Sequence, residues 1–559
     1  MAVRHDVHSH AHEDIPGTVD LRAKEGEETH YGQALFPVPS ADPNDPLQWP
    51  KFKKHMILFC CAMFSFLGNS ALIGPSTYIG LYSAEFNIDP NTAAGLINYP
   101  NLAFGFGSLV LVPSYRKFGR RPVMLLSLIF YAAGLIGSAQ STTFSGLMGA
   151  RVVHAFGSGV CEALPVQLVN DIFFLHERGK KLGWYTVALC LGATGPMFSG
   201  FMLAGGYSWN LFFYVEFAFA VALLILAFFF VEETQYNRVL PPATTTPTGT
   251  ETNLASTSSE KADAAATGEH ISEEHHPHHH NSTPSLAGSS TSNAAAIQPP
   301  RKTLLQQLKP WSPIDHSSPF FLTIARSFTY LLVPSTFWVI TTYGLYIGLS
   351  GFAFSFTFPL KITAPPYNWP ETSSGLHAIA TIIGFGLALP LLPASDRLAA
   401  YLTKRNGGIR EAEMRLGVLL PAMVIAPVGQ IIFGITAEKN LHWLGYMFGV
   451  ALTQWAGYFY FTVTLAYAVD SYSANLSEML IIMNLGKQAI SFGLGIEVLN
   501  WILNNGYAKV IAGAFTAVLL VNNMVVVVFM LWGKRIRVGT SKTWLARIHR
   551  ASMVAGETH

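Results

Sequence analysis

The feature that most constrains this chain is a repeated one. Twelve apolar runs reach the length at which a helix crosses a bilayer, about 20 residues. They lie at 55–78, 92–113, 122–140, 145–172, 182–206, 209–231, 334–358, 373–393, 415–436, 441–468, 476–503 and 509–533. Backbone inside lipid must satisfy its own hydrogen bonds, so runs of this length are read as helices. With 50% hydrophobic and only 12% charged residues, a soluble multidomain protein is excluded and an all-α, multi-pass membrane protein is predicted.

Six runs fall on each side of a polar segment. That segment begins "EETQYNRVLPPATTTPTGTETN" at Glu232 and is rich in Ser, Thr, Ala, Pro and His. Its composition buries too little apolar surface to fold alone, so a mostly disordered linker is expected over 233–330. Its end, from Leu304, regains hydrophobicity and is expected along the interface. The remaining divisions are a disordered N-terminal tail at 1–52, a six-helix bundle at 53–232, a second at 331–534, and a tail at 535–559. Lys and Arg cluster on alternate loops: Arg116, Lys117, Arg120 and Arg121; Arg178, Lys180 and Lys181; Arg397, Lys404, Arg405, Arg410 and Arg415. The other loops hold only Lys361, Lys439 and Lys509, so both tails and the linker are expected to be cytoplasmic. The sequons at Asn281 and Asn475 would then stay unglycosylated, and the polar first fifty residues show no cleavable signal peptide.

Several chemistries are set aside. Net charge is only +2 and basic residues are scattered, which argues against nucleic acid. Cys60, Cys61, Cys161 and Cys190 lie in apolar runs without metal-type spacing. The histidine tracts at 5–14 and 273–282 lack fixed ligand geometry, so no metal is expected. No phosphate-binding glycine loop is present, which removes ATP as the energy source, and no nucleophile–base pair suggests an enzyme. No cofactor is expected.

The halves echo each other. "VPSYRKFGRRP" follows the second run and "LPASDRLAAYL" the eighth, which sets Arg116 opposite Asp396 and Lys117 opposite Arg397. The fourth run ends at Asp171 and the tenth at Asp470. Two pseudo-symmetric six-helix bundles are the simplest reading, as in a transporter built from repeats.

These motifs, in order, resemble the major facilitator superfamily, and within it the fungal relatives of the twelve-span drug:proton antiporters. The resemblance runs from "DPNDPLQWPKFKK" at 42–54 to about Lys534, apart from the linker. It rests on Gly119-Arg120-Arg121-Pro122, on Arg151 with "VVHAFGSG", on "EALP" at 162–165 and on "DIFFLHERGKKLG" at 171–183. Gly195-Pro196, "RNGGIREAEMRL" at 405–416 and "DSY" at 470–472 add to it. It implies the major facilitator fold and alternating access through a central cavity. Two positions depart from the family pattern: Arg116 stands where the first basic loop usually carries an acid, and His154 where the fourth-span motif usually has Gln.

Ionisable residues inside spans weigh most, since each costs about 2.5–3.5 kcal/mol at the bilayer centre. Glu162 is the leading proton-binding candidate, with Arg151 and His154 tuning it. An unbroken helix would place Arg151 about 16 Å away on the same face. Glu216, Glu497, Trp338, Tyr343, Gln454, Trp455 and Tyr458 are candidates for lining a substrate cavity by charge, stacking or cation–π contact. Lys487 is expected to pair locally, with Glu478. Arg116, Arg120, Arg121, Asp171, Asp396, Arg397 and Asp470 are assigned to gating ion pairs. Gly192, Gly195, Pro196 and Gly200 form a smooth stripe on the fifth span for close helix approach, and the resemblance implies an antiporter motif there.

The expected function is proton-coupled secondary transport of a small organic compound, a drug, toxin or secondary metabolite, by efflux in exchange for protons. Uptake of an organic cation such as a polyamine and a transporter-like membrane sensor are the alternatives. The protein is expected to be a monomer in the plasma membrane, with the vacuolar membrane as the alternative.

Overall fold

The computed structural model describes residues 18–20, 40, 42–236, 302–315, 319–391, 393–472 and 476–549. The long helices are α1 (Lys51–Glu85), α2 (Pro90–Phe118), α3 (Arg120–Gln140), α4 (Phe144–Ile172), α5 (Lys181–Gly192 and Gly195–Ala204, bent by 41°), α6 (Asn210–Phe230), α7 (Pro334–Thr363), α8 (Glu371–Arg405), α9 (Ala412–Lys439), α10 (Leu444–Ser471), α11 (Leu476–Asn505) and α12 (Ala508–Ser541). Among the described residues ten are long and apolar enough to cross a membrane, and the bent α5 makes up to eleven. The remaining helix, α10, has the length, at 28 residues, but its tyrosines, threonines and Gln454 dilute its apolar character. The protein is thus an all-α membrane protein.

Local chemistry sets the ends of these helices. Asp89 accepts the Asn91 N–H at 2.9 Å ahead of Pro90 to start α2, and Thr143 accepts from Gly146 at 3.2 Å to start α4. Asn440 closes α9 in the left-handed region, with φ 47°. The α2–α3 turn needs glycine. Gly119 has φ 96°, and a Cβ there would lie 2.4 Å from the Glu233 carboxylate. Glu233 accepts the backbone N–H groups of Arg120 and Arg121 at 3.1 and 3.2 Å. The Arg121 side chain donates to the carbonyls of Val231 and Phe228, satisfying the end of α6.

Within the first half α3 packs on α4 and α6, and α1 on α5; in the second, α9 and α8 pack on α10. The halves meet along α2 and α11, which run antiparallel through the whole depth. Matching ion pairs at the basic end mark the pseudo-symmetry. Arg120 meets Asp171 at 2.8 Å in one half, and Arg415 meets Asp470 at 2.8 Å in the other.

The N-terminal tail is not wholly without structure. Thr18–Asp20 (β1) pairs antiparallel with Ile409–Glu411 (β2), and Arg537 holds Thr18 Oγ1 at 3.1 Å. Extended backbone there gains ladder hydrogen bonds with the strand leading into α9, which composition alone does not reveal. Most of the linker, Asn281, Asn475 and both histidine tracts lie outside the described residues.

Candidate functional site: the seam between the halves

Two polar stripes build the seam. On α2 they are Asn98, Asn101, Gly105 and Ser108; on α11, Asn484, Gln488, Ser491 and Gly495. Asn98 Nδ2 donates to the Gly495 carbonyl at 2.8 Å and Asn101 Nδ2 to Ser491 Oγ at 2.7 Å. Gly105 lets α11 approach, since a Cβ there would sit 3.1 Å from Gln488 Cβ. Lys487 shares this helix, and its ammonium is paired with the Glu162 carboxylate of α4. Both side chains are nearly buried, at 8% and 14% exposure. The pair therefore joins the two halves near mid-depth.

Glu162 owes its position to a break in α4. Residues 159–162 form a turn between Phe144–Ser158 and Ala163–Ile172, and the Tyr185 hydroxyl donates to the Glu162 carbonyl at 3.0 Å. Lys487 Nζ also lies 5.8 Å from the Tyr343 ring centroid, so a cation–π partner stands beside the carboxylate.

Among the described residues Arg151 and His154 make no hydrogen bond or ion pair with Glu162. Arg151, fully buried, donates to the carbonyls of Leu96 at 2.5 Å and Leu72 at 2.9 Å, tying α4 to α2 and α1. His154 is fully buried against the Tyr131 ring, 6.1 Å between centroids, and neither ring nitrogen has a hydrogen-bond partner among the described residues. Lys487 pairs with Glu162 rather than Glu478. Glu478 instead faces Arg116 at 3.7 Å and Arg326 at 3.8 Å.

The cavity candidates separate. Tyr343 stands beside Lys487, and Tyr458 lines a crevice of about 120 Å³ with Cys190 and Leu191 of α5 and Phe385 of α8, also at the seam. Gln454 Oε1 lies 3.3 Å from the Tyr346 hydroxyl, and Trp455 packs on Phe459. Trp338 is removed from the cavity set: it is core, wedged between Tyr467 and Phe529. Glu497 is exposed and bonded to Asn500, where hydration costs less than burial. Glu216 faces α1 and α3 of its own half, bound by Ser70 at 2.7 Å and Tyr131 at 3.3 Å.

The gating set also divides. Asp171 and Asp470 hold loops within their own halves, as given above, and Asp396 joins Arg415 at 3.3 Å. Arg121 serves the end of α6. Arg397 is exposed and, among the described residues, makes no ion pair. Among the described residues, Arg116 of this set reaches across, to Glu478. The glycine stripe of α5 is split by the bend: Gly192 and Gly195 abut α1 at Phe66 and Ser70, while Pro196 and Gly200 abut Gly375 of α8 in the other half. A Cβ on Gly375 would lie 2.1 Å from the Pro196 carbonyl oxygen.

Residues 58–496 match the sequence profile of the Major Facilitator Superfamily. The chain belongs to that superfamily.

It is therefore a secondary transporter of the major facilitator type, a family whose members carry small molecules across lipid membranes. It is 23% identical to Protein HOL1 of Saccharomyces cerevisiae, over 96% of this chain and 97% of that one. It is also 23% identical to YHK8 of the same yeast, named a probable drug/proton antiporter, over 81% and 78%. Among solved structures it resembles the partially occluded, inward-open xylose transporter XylE of E. coli, with TM-score 0.52 and 10% identity, covering 86% of this chain and 98% of that one. At that identity the likeness concerns the fold. In this transporter the departure at Arg116 is matched by an acid on the opposite helix, Glu478 in the first turn of α11. Sequence reasoning missed the seam residues Asn98, Asn101, Asn484 and Ser491, although three-to-four-residue spacing of polar side chains in an apolar helix signals them. No group of three potential metal ligands is found among the described residues.

Proposed function

We propose that this transporter couples proton movement to export of a small organic compound, with Glu162 as the shared site and Lys487 as its internal counter-ion. The observation that supports this is the ion pair bridging α4 and α11. A nearly buried pair that loses one partner is destabilised by about 3–5 kcal/mol, because the other charge stays uncompensated. The halves can separate at this point only when something takes the place of the lost partner. A proton on Glu162 does so, and the Tyr343 ring then receives Lys487. A cationic or hydrogen-bonding substrate group on Glu162 does so as well. Proton and substrate thus compete for one carboxylate, which is the condition for exchange.

The two ends of the seam suit alternating access. One end closes by backbone contact between α5 and α8 at Gly375. The basic end, cytoplasmic by the distribution of Lys and Arg, closes by side chains, with Arg116 on Glu478 and Ser477 3.5 Å from Gln167. Export across the plasma membrane is the direction we propose, in keeping with the antiporter resemblance. Flux of a panel of organic cations and neutral compounds from proteoliposomes with an imposed pH gradient tests the proposal. Export driven by an inward proton gradient supports it, and flux indifferent to the gradient refutes it.

A further inference from the structure

A second recess lies apart from the seam, on the flank of the N-terminal half. It holds about 150 Å³ between α1, α5 and α6, with apolar walls that include Met63, Leu67, Met202 and Val215. Its rim is formed by Phe198 and Phe219, 38% and 53% exposed, side chains that face hydrocarbon in a membrane. Its floor is the carboxyl of Glu216, 5% exposed. Glu216 is the sole charged residue in the sequence of α6.

The polar chemistry of that carboxyl is incomplete. Ser70 Oγ donates to Oε1 at 2.7 Å and the Tyr131 hydroxyl to Oε2 at 3.3 Å. A carboxylate offers about four acceptor positions, so half of its capacity is unused. Among the described residues no basic side chain lies within ion-pair distance of it, whereas Glu162 and Glu478 both have one. An ionised acid inside the span costs up to about 2.5–3.5 kcal/mol, the figure at the bilayer centre, and a cation paired with it offsets that cost.

We infer that this recess is a binding site for a lipophilic ammonium compound that enters sideways from the bilayer between α5 and α6. The cation completes the hydrogen bonding of Glu216, and a ring-sized apolar group fills the space beside it. A dry cavity of about 150 Å³ lined by apolar side chains accepts benzene, so the volume fits one ring. The flanking Phe198 and Phe219 add cation–π attraction during entry. The site is separate from the Glu162–Lys487 pair and does not depend on the coupling proposed for it.

The test is photolabelling of the full-length protein in zwitterionic-lipid vesicles with a single-ring probe, a diazirine-bearing benzylammonium, and with the matching benzyl alcohol as neutral control. Adducts on Met63 and Met202 that are competed by benzylammonium are expected, with the alcohol labelling far less. Glu216→Gln should lower labelling by about tenfold, the loss of one charge-assisted hydrogen bond. Val215→Trp, which fills the space and keeps the acid, should lower it as well and serves if the first variant does not fold. Equal labelling by the alcohol, or undiminished labelling in either folded variant, overturns the inference.

Discussion

Glu162 and Lys487, 325 residues apart in sequence, meet as an ion pair between α4 of one half and α11 of the other. Among the described residues most ion pairs at the basic end, such as Arg120 with Asp171, stay within one half. This one makes the electrostatics of the centre depend on how the halves sit together.

The pair should therefore behave as a unit. Glu162→Gln and Lys487→Met alone are each expected to destabilise the transporter, the lysine variant by about 3–5 kcal/mol because it leaves a buried carboxylate alone. The double variant should recover most of the loss. Thermal unfolding in detergent across the four proteins gives the coupling energy, and strictly additive losses would show that the two do not interact.

Closure at the non-basic end depends on the absence of a side chain at Gly375. Gly375→Val is expected to hold the α5–α8 seam apart and to abolish transport while leaving the protein in the membrane. An added cysteine at Ser76, buried in the present arrangement, should become reactive towards a membrane-impermeant maleimide in that background. Unchanged transport and an unreactive cysteine would show that the contact is incidental.

The Arg116–Glu478 contact should respond to charge exchange. Arg116→Glu is expected to lower transport several-fold by placing two acids together across the seam. Combining it with Glu478→Arg should restore part of the rate. A double variant no better than the worse single one would indicate that Arg116 acts through some other partner.

His549 ties the C-terminal segment to the basic end. Its ring stacks on Tyr330 at 3.8 Å between centroids and hydrogen-bonds the hydroxyls of Tyr472 and Thr329, each at 2.7 Å. Burial first, and then the Arg326 charge, lower its pKa from 6.5 to about 4. The undocked ring therefore binds more protons than the docked one between those values. Docking is fully favourable above pH 6.5 and weakens as pH falls towards 4. Carboxypeptidase trimming of the tail should accelerate from pH 7 to pH 5 in the wild type and stay flat with pH in His549→Phe.

Much of the architecture was written in the spacing of apolar residues. The span positions follow from bilayer thickness, and the twofold echo follows from Asp171 and Asp470 at matching ends. Helix interruptions were marked by proline: Gly195-Pro196 at the bend in α5, and Pro165, which cannot donate to the Cys161 carbonyl, just after the turn at 159–162. Pair assignments were least visible. Lys487 has Glu478 nine residues away on its own helix, and only the antiparallel register of α2 against α11 shows that Glu478 serves Arg116. Glu216 and Glu497 looked alike in sequence, yet one forms the floor of a recess and the other lies in the open. Packing between distant helices decided that difference.

The most direct test of the coupling role of Glu162 compares two transport modes in Glu162→Gln proteoliposomes. Exchange of labelled for unlabelled substrate at equal pH needs no net proton movement, whereas uphill flux driven by a pH gradient does. The account predicts that exchange of a neutral, hydrogen-bonding substrate, which the amide still holds, persists while gradient-driven accumulation is lost. Gradient-driven accumulation equal to that of the wild type would contradict it.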